Sequence, residues 1–252
     1  MLLTTQVARG MGLSRLRWVV GQVVVVALGI LAYFGIRGLT EASIGVALDH
    51  AEDINTLEGW LGIDVEHAVQ APVAASQTLA TAGNWVYVWG HWPVILATMV
   101  WLVWRHRDVF RRLRDGMLVS GFLGMAVFVS YPVAPPRLAD LGLVDTVTES
   151  SEAYRYLQPP AFVNQYAAMP SLHAGWDLLV GLAIIAAAAS IGIRAAGLLM
   201  PVLMVWAVVA TANHYVLDVV AGLALALIGH GVALLMERQR ASSRADVETE
   251  PA

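Results

Sequence analysis

The chain has 252 residues, 58% of them hydrophobic and only 13% charged, with a formal net charge of -4. A soluble domain carries roughly 25% charged residues, so the composition points into a bilayer and away from a soluble globule. Without cysteine there can be no disulfide, thiolate nucleophile or cysteine-ligated metal, and the basic residues, all arginine, form no aromatic-interleaved patch of the kind that binds nucleic acid.

Residues 1–17 are polar and carry Arg9, Arg15 and Arg17. Residues 18–36 are apolar except for Gln22, long enough for a bilayer core that needs about 20 residues. A cleaved signal peptide would have a shorter apolar core, about 7–15 residues, ahead of a small-residue site. Leu39-Thr40-Glu41 follow here instead, so this run is expected to be an uncleaved first span. Between 37 and 84, Glu41, Asp49, Glu52, Asp53, Glu58, Asp64 and Glu66 are mixed with Ile44, Val46, Leu48, Ile54, Leu57, Trp60, Leu61 and Ile63. That mixture predicts an amphipathic helical segment lying at the membrane interface, its carboxylates serving a lid or packing element rather than acid–base chemistry.

The second span is predicted over 85–104, with Trp85, Tyr87, Trp89 and Trp92 as an aromatic belt at its start. Arg105, His106, Arg107, Arg111, Arg112 and Arg114 follow at once. Further spans are predicted over 116–133, 171–193, 195–212 and 214–236, with a loop over 134–170 and a disordered cytoplasmic tail over 237–252. The expected architecture is all-α: one membrane-embedded domain, residues 1–236, built as a six-helix transmembrane bundle.

Arginine placement orients it. With the N-terminus inside, the inner segments hold Arg9, Arg15, Arg17, the 105–114 cluster, Arg194, Arg238, Arg240 and Arg244, and the outer ones keep only Arg37, Arg137 and Arg155. The positive-inside rule then puts both termini in the cytoplasm of an inner (plasma) membrane protein. Arg137 follows the third span, His173 opens the fourth and His214 opens the sixth, so all three fall at outward-facing helix ends.

The residue types at those ends suit phosphoryl transfer. Asp218, four residues after His214, would lie on the same helix face, about 6 Å along the axis, where a carboxylate fixes one imidazole nitrogen and leaves the other to attack. Pro170 suits a first helical turn, and N–H groups from Ser171 onward would favour an anion. Arg137, beside Pro135 and Pro136, offers a planar fork for phosphate oxygens. His91 in Trp89-Gly90-His91-Trp92-Pro93 is a further phosphate ligand or a polar interfacial residue. Asp177, four after His173, is expected to face solvent rather than orient that histidine. Asn164, Gln165, Tyr166 and Tyr215 are candidates for lining a head-group entrance. His230, about 24 Å down the last helix, belongs to the other side of the membrane, and His50, His67 and His106 are expected at the surface. His173, His214 and Asp218 suit a metal by ligand type, but no metal and no cofactor is expected.

With Pro170-Ser171-Leu172-His173 and His214 to Asp218, the chain resembles the type-2 phosphatidic acid phosphatase superfamily, marked by Lys-x6-Arg-Pro, Pro-Ser-Gly-His and Ser-Arg-x5-His-x3-Asp. Leu172 and the later His-Tyr-x-x-Asp are closer to the inositol phosphorylceramide synthase branch, the Aur-type inositolphosphotransferases. The resemblance implies His214 as nucleophile through a phosphohistidine, Asp218 orienting it, His173 protonating the leaving alcohol, and Ser171 and Arg137 holding phosphate oxygens. The chain departs from the family pattern at Ser130 (lysine in the family), Leu138 (proline) and Val208 (arginine), and His91 is a candidate replacement for a lost cation. The expected function is a lipid phosphotransferase acting on a lipid phosphate or phospholipid at the extracytoplasmic face, with a lipid alcohol as acceptor. The alternatives are a lipid phosphate phosphatase and a non-enzymatic lipid carrier.

Overall fold

The computed structural model describes residues 2–39, 44–147 and 165–249. Among these the structure is helical: α1 (Leu2–Leu39), α2 (Ile44–Leu61), α3 (Glu66–Ala74), α4 (Gln77–Trp89), α5 (Trp92–Arg105), α6 (Arg107–Ser130), α7 (Leu172–Ala187), α8 (Ile191–Ala210) and α9 (Val216–Thr249), with a 3-10 turn at Pro136–Leu138. The described residues form no strand beyond one isolated bridge between Val133 and Ala167.

Among the described residues four helical segments are long and apolar enough to cross a membrane: Leu13–Ala32 of α1, α6, α8, and Val216–Ser243 of α9. Helices α4 and α5, bent by 40° at a short break, make a fifth when taken together. The protein is therefore an integral membrane protein, and four or five of its described segments meet that criterion against the six spans expected; the sixth, α7, is apolar but shorter. The segment too short for the criterion lies at 171–193. There α7 has 16 residues, about 24 Å against a hydrocarbon core of about 30 Å, because the backbone turns extended at Ala188 and Ser190 before α8 begins.

Three other boundaries move for identifiable reasons. The run predicted over 85–104 is broken at Gly90-His91, where Pro93 near the start of α5 supplies no N–H to continue the helix. A Cβ at Gly90 would stand 2.3 Å from the Val86 carbonyl oxygen, so the break needs glycine. Helix α6 begins at Arg107, nine residues before the expected start, and takes most of the arginine cluster into its first turns. Helix α9 runs on to Thr249 through the segment expected to be disordered. Arg112 donates two hydrogen bonds to Glu237, at 2.8 and 3.0 Å, and Arg240 pairs with Asp115 at 2.9 Å, tying that extension to α6.

The core forms around α7, whose Leu172, Trp176, Leu179, Val180 and Ala183 pack with Leu102 and Val103 of α5, Phe110, Leu113, Met117, Met125 and Phe128 of α6, and Ala226 of α9. Leu198, Leu199, Val202 and Leu227 point outward, as lipid-facing positions should. Helices α7 and α9 cross backbone to backbone. A Cβ at Gly222 would stand 2.0 Å from the Ser171 carbonyl oxygen, and one at Gly175 2.5 Å from that of Gly222. This crossing brings the start of α7 onto the start of α9.

Candidate active site

Backbone hydrogen bonds gather the segments that the sequence keeps apart. After α6, the Val133 amide donates to Tyr166 O (2.9 Å), and Val133 O accepts from the Ala168 amide (3.1 Å). The Ala134 amide donates to Ala47 O (2.9 Å) and the Arg137 amide to Ala212 O (3.0 Å). The Ser171 amide donates to Asp218 O at 2.9 Å. Thus the 131–138 loop, the approach to α7, the 211–218 turn and the start of α2 meet at one end of the bundle.

His173 stands at the centre of a cluster of rings. Its imidazole lies 4.6 Å from Tyr87, nearly parallel, 4.3 Å from His91 and 5.9 Å from His214, centroid to centroid. His214 Nδ1 is 3.4 Å from Asp218 Oδ2, which also accepts the Tyr215 amide at 2.9 Å. Asp218 is wholly buried, so its carboxylate faces His214 and the Tyr215 amide and not solvent. Nδ1 is the His214 nitrogen turned to the carboxylate, and Nε2 is the one turned away from it. His214 itself precedes the first residue of α9; the four-residue spacing joins a turn to a helix rather than two positions on one helix face.

Arg137 is held from both sides. Its backbone is fixed by the Ala212 carbonyl, and its Nε donates to Asn213 Oδ1 at 3.0 Å. Asn213 in turn donates from Nδ2 to Thr211 Oγ1 at 2.8 Å, and Asp145 Oδ2 lies 3.7 Å from Arg137 Nε. Asp145 is placed by its neighbours. Gln70 of α3 exchanges two hydrogen bonds with Val144, at 2.8 and 2.9 Å, and Asn84 of α4 does the same with Thr146, at 2.7 and 3.2 Å.

Several expectations are corrected. Asp177 does not face solvent: it is 0% exposed and accepts from His91 Nδ1 at 2.8 Å, so it orients His91 rather than His173. Ser171 is wholly buried as the N-cap of α7, its Oγ accepting the Ala174 amide at 3.4 Å, and its own N–H is already taken by Asp218 O. Tyr215 is wholly buried among Ala47, Ala51, Ile54 and Val133, a core residue and not a doorway. Gln165 is exposed and Tyr166 half-buried, while Asn164 lies outside the described residues. Ser130, where the family pattern has lysine, is exposed and its hydroxyl donates to Ala126 O; Val208 is core. Among the described residues no three histidine or carboxylate side chains converge as a metal-ligand set. The residues missed, Asn213, Asp145 and Tyr87, had weaker signals: Asn213 adjoins the His-Tyr-x-x-Asp motif, and Asp145 carries none.

A family model described as PAP2 superfamily matches residues 52–232, which takes in every residue of this cluster. The chain belongs to the PAP2 superfamily. It is thus an enzyme of the type-2 phosphatase family, and the histidine cluster lies within the matched residues. The crystal structure of Aquifex aeolicus LpxE is similar in fold, with a TM-score of 0.53 at 15% identity over 68% of this chain and 93% of that one. Among curated proteins none matches.

Proposed function

We propose that this PAP2 enzyme is a lipid phosphotransferase working through a phosphohistidine on His214, with a second lipid's hydroxyl as acceptor. The observation that carries the reading is charge pairing. Arg137 faces Asp145 at 3.7 Å, His91 faces Asp177 at 2.8 Å and His214 faces Asp218 at 3.4 Å, while the positions of two family cations hold Ser130 and Val208. A phosphate monoester carries about -1.5 to -2 charges at neutral pH and would call for unpaired cations. A phosphodiester, with a single negative charge, suits this balanced pocket better, and a phosphodiester donor implies head-group transfer.

In the first step His214 Nε2 attacks phosphorus, the bond from phosphorus to the donor's oxygen breaks, and His173 gives that oxygen a proton. In the second, the acceptor hydroxyl attacks phosphorus, its proton passes to His173, and His214 is released. The Arg137 Nε is engaged by Asn213, so its two terminal nitrogens would meet the phosphate oxygens, with His91 beside them. Positioning and charge stabilisation of a loose transition state would carry most of the rate. By the arginine distribution, the site faces the extracytoplasmic side of the plasma membrane, both termini are cytoplasmic, and α2, with Leu57, Trp60 and Leu61 exposed, lies along the interface.

Product analysis on purified protein tests this. Phosphatidate and phosphatidylinositol are supplied with and without a diacylglycerol or ceramide acceptor. A new phospholipid formed only with acceptor is expected; free phosphate released regardless of acceptor would make the protein a lipid phosphatase.

A further inference from the structure

The turn that carries His214 is pinned at every amide. Asn213 and His214 both donate to the Val208 carbonyl, at 3.0 and 3.1 Å. The next three amides each end on a different carboxylate. Tyr215 donates to Asp218 at 2.9 Å, Val216 to Glu66 Oε1 at 2.9 Å, and Leu217 to Glu58 Oε1 at 2.6 Å. Glu58 and Glu66 come from α2 and α3, outside the spanning helices and about 150 residues earlier in the chain. Glu58 is 0% and Glu66 3% exposed, so neither is a surface charge. Val216 and Leu217 open α9, where N–H groups lack intrahelical partners and carboxyl oxygens are favoured.

We infer that Glu58 and Glu66 are positioning residues for the reaction: they seat the start of α9 and thereby hold His214 against Asp218 and beside His173. This rests on the reading of His214 as the reacting group. The groups facing Glu58 are Glu66 on α3, Asp218 on α9 and Tyr215 ahead of it; no basic side chain is among them. Burial, then the neighbouring Glu66 and Asp218, push the Glu58 carboxyl up to about 8, against the pull of the Leu217 hydrogen bond. Its ordinary value is 4.5, so the support given by neutral Glu58 is complete below that pH and lost as pH rises through about 8. Above it, added negative charge in one buried pocket pushes the carboxyls apart and loosens the seat of α9.

The test uses the purified full chain with Glu58→Gln, Glu58→Ala and Glu66→Ala, read by kcat and KM from about pH 6 to 9 and by the rate at which diethylpyrocarbonate labels His214. Glutamine keeps the oxygen for Leu217 and offers Glu66 a donor, so Glu58→Gln is expected to stay within about twofold of wild type at neutral pH and to lose the alkaline decline. Glu58→Ala and Glu66→Ala are expected to lower kcat about 10- to 100-fold with KM little changed, and to alter His214 labelling. Wild-type kcat and labelling in both alanine variants would overturn the inference, as would an unaltered alkaline decline in Glu58→Gln. If an alanine variant does not fold, the glutamine pH profile decides alone. If the wild type turns over no lipid phosphate, the functional reading fails separately, and His214 labelling across the same pH range still decides the positioning role.

Discussion

The two ends of the helix bundle pair carboxylates differently, with arginines at one end, where only Asp115 of the paired acids is buried, and with histidines at the other. At the arginine end, Arg112 and Glu237 pair with 26% and 34% of their side chains exposed, and Arg111 pairs with an Asp108 that is 71% exposed. At the histidine end, His91–Asp177 and His214–Asp218 are at most 7% exposed. Exposed pairs are screened and contribute about 0–1 kcal/mol. A buried partner does something else: it fixes a ring and a proton, and its loss leaves a polar group stranded. Similar pairs thus tether helices at one end and fix imidazole rings at the other.

Mutations can break this contrast or sharpen it. The largest effect is expected from His214→Ala, which should abolish turnover and the formation of acid-labile phosphoprotein; retained labelling would place the nucleophile elsewhere. His173→Ala should lower kcat by about 10²–10⁴-fold, with partial recovery on substrates that have a good leaving group. Such recovery is the signature of a lost acid, and a defect equally large on every leaving group would remove that role. Asp177→Asn should lower kcat by about 10- to 100-fold through a misdirected His91, and unchanged kinetics would reduce the His91–Asp177 pair to packing. At the other end, Glu237→Gln should leave kcat intact and cost about 1 kcal/mol or less in a thermal melt, an effect that fades at high salt. A larger loss of activity there would mean that the two ends are coupled.

Much of the membrane character was legible because it depends on runs of neighbouring residues. The apolar stretches of α6, α8 and α9 announce themselves, and so do Pro170-Ser171-Leu172-His173 and His214 to Asp218. The count of crossings was less legible. A break at Gly90-His91 looks apolar in sequence, and the run after Ser171 does not reveal that the backbone turns at Ala188. The tail is a different case. Its polar composition suits disorder, and its first residues, Glu237 and Arg240, pair with Arg112 and Asp115 on another helix.

Sequence alone determined that the chain enters a bilayer, that it is helical there, and which histidines bear family motifs, since composition, periodicity and short spacings are properties of adjacent residues. Tertiary structure decided the partners. Asp177 belongs to His91, 86 residues away, and Glu58 to Leu217, 159 residues away. Such pairings follow from where helices cross, above all at Gly175 and Gly222, where two backbones touch because neither carries a side chain, and no local pattern specifies which glycine meets which.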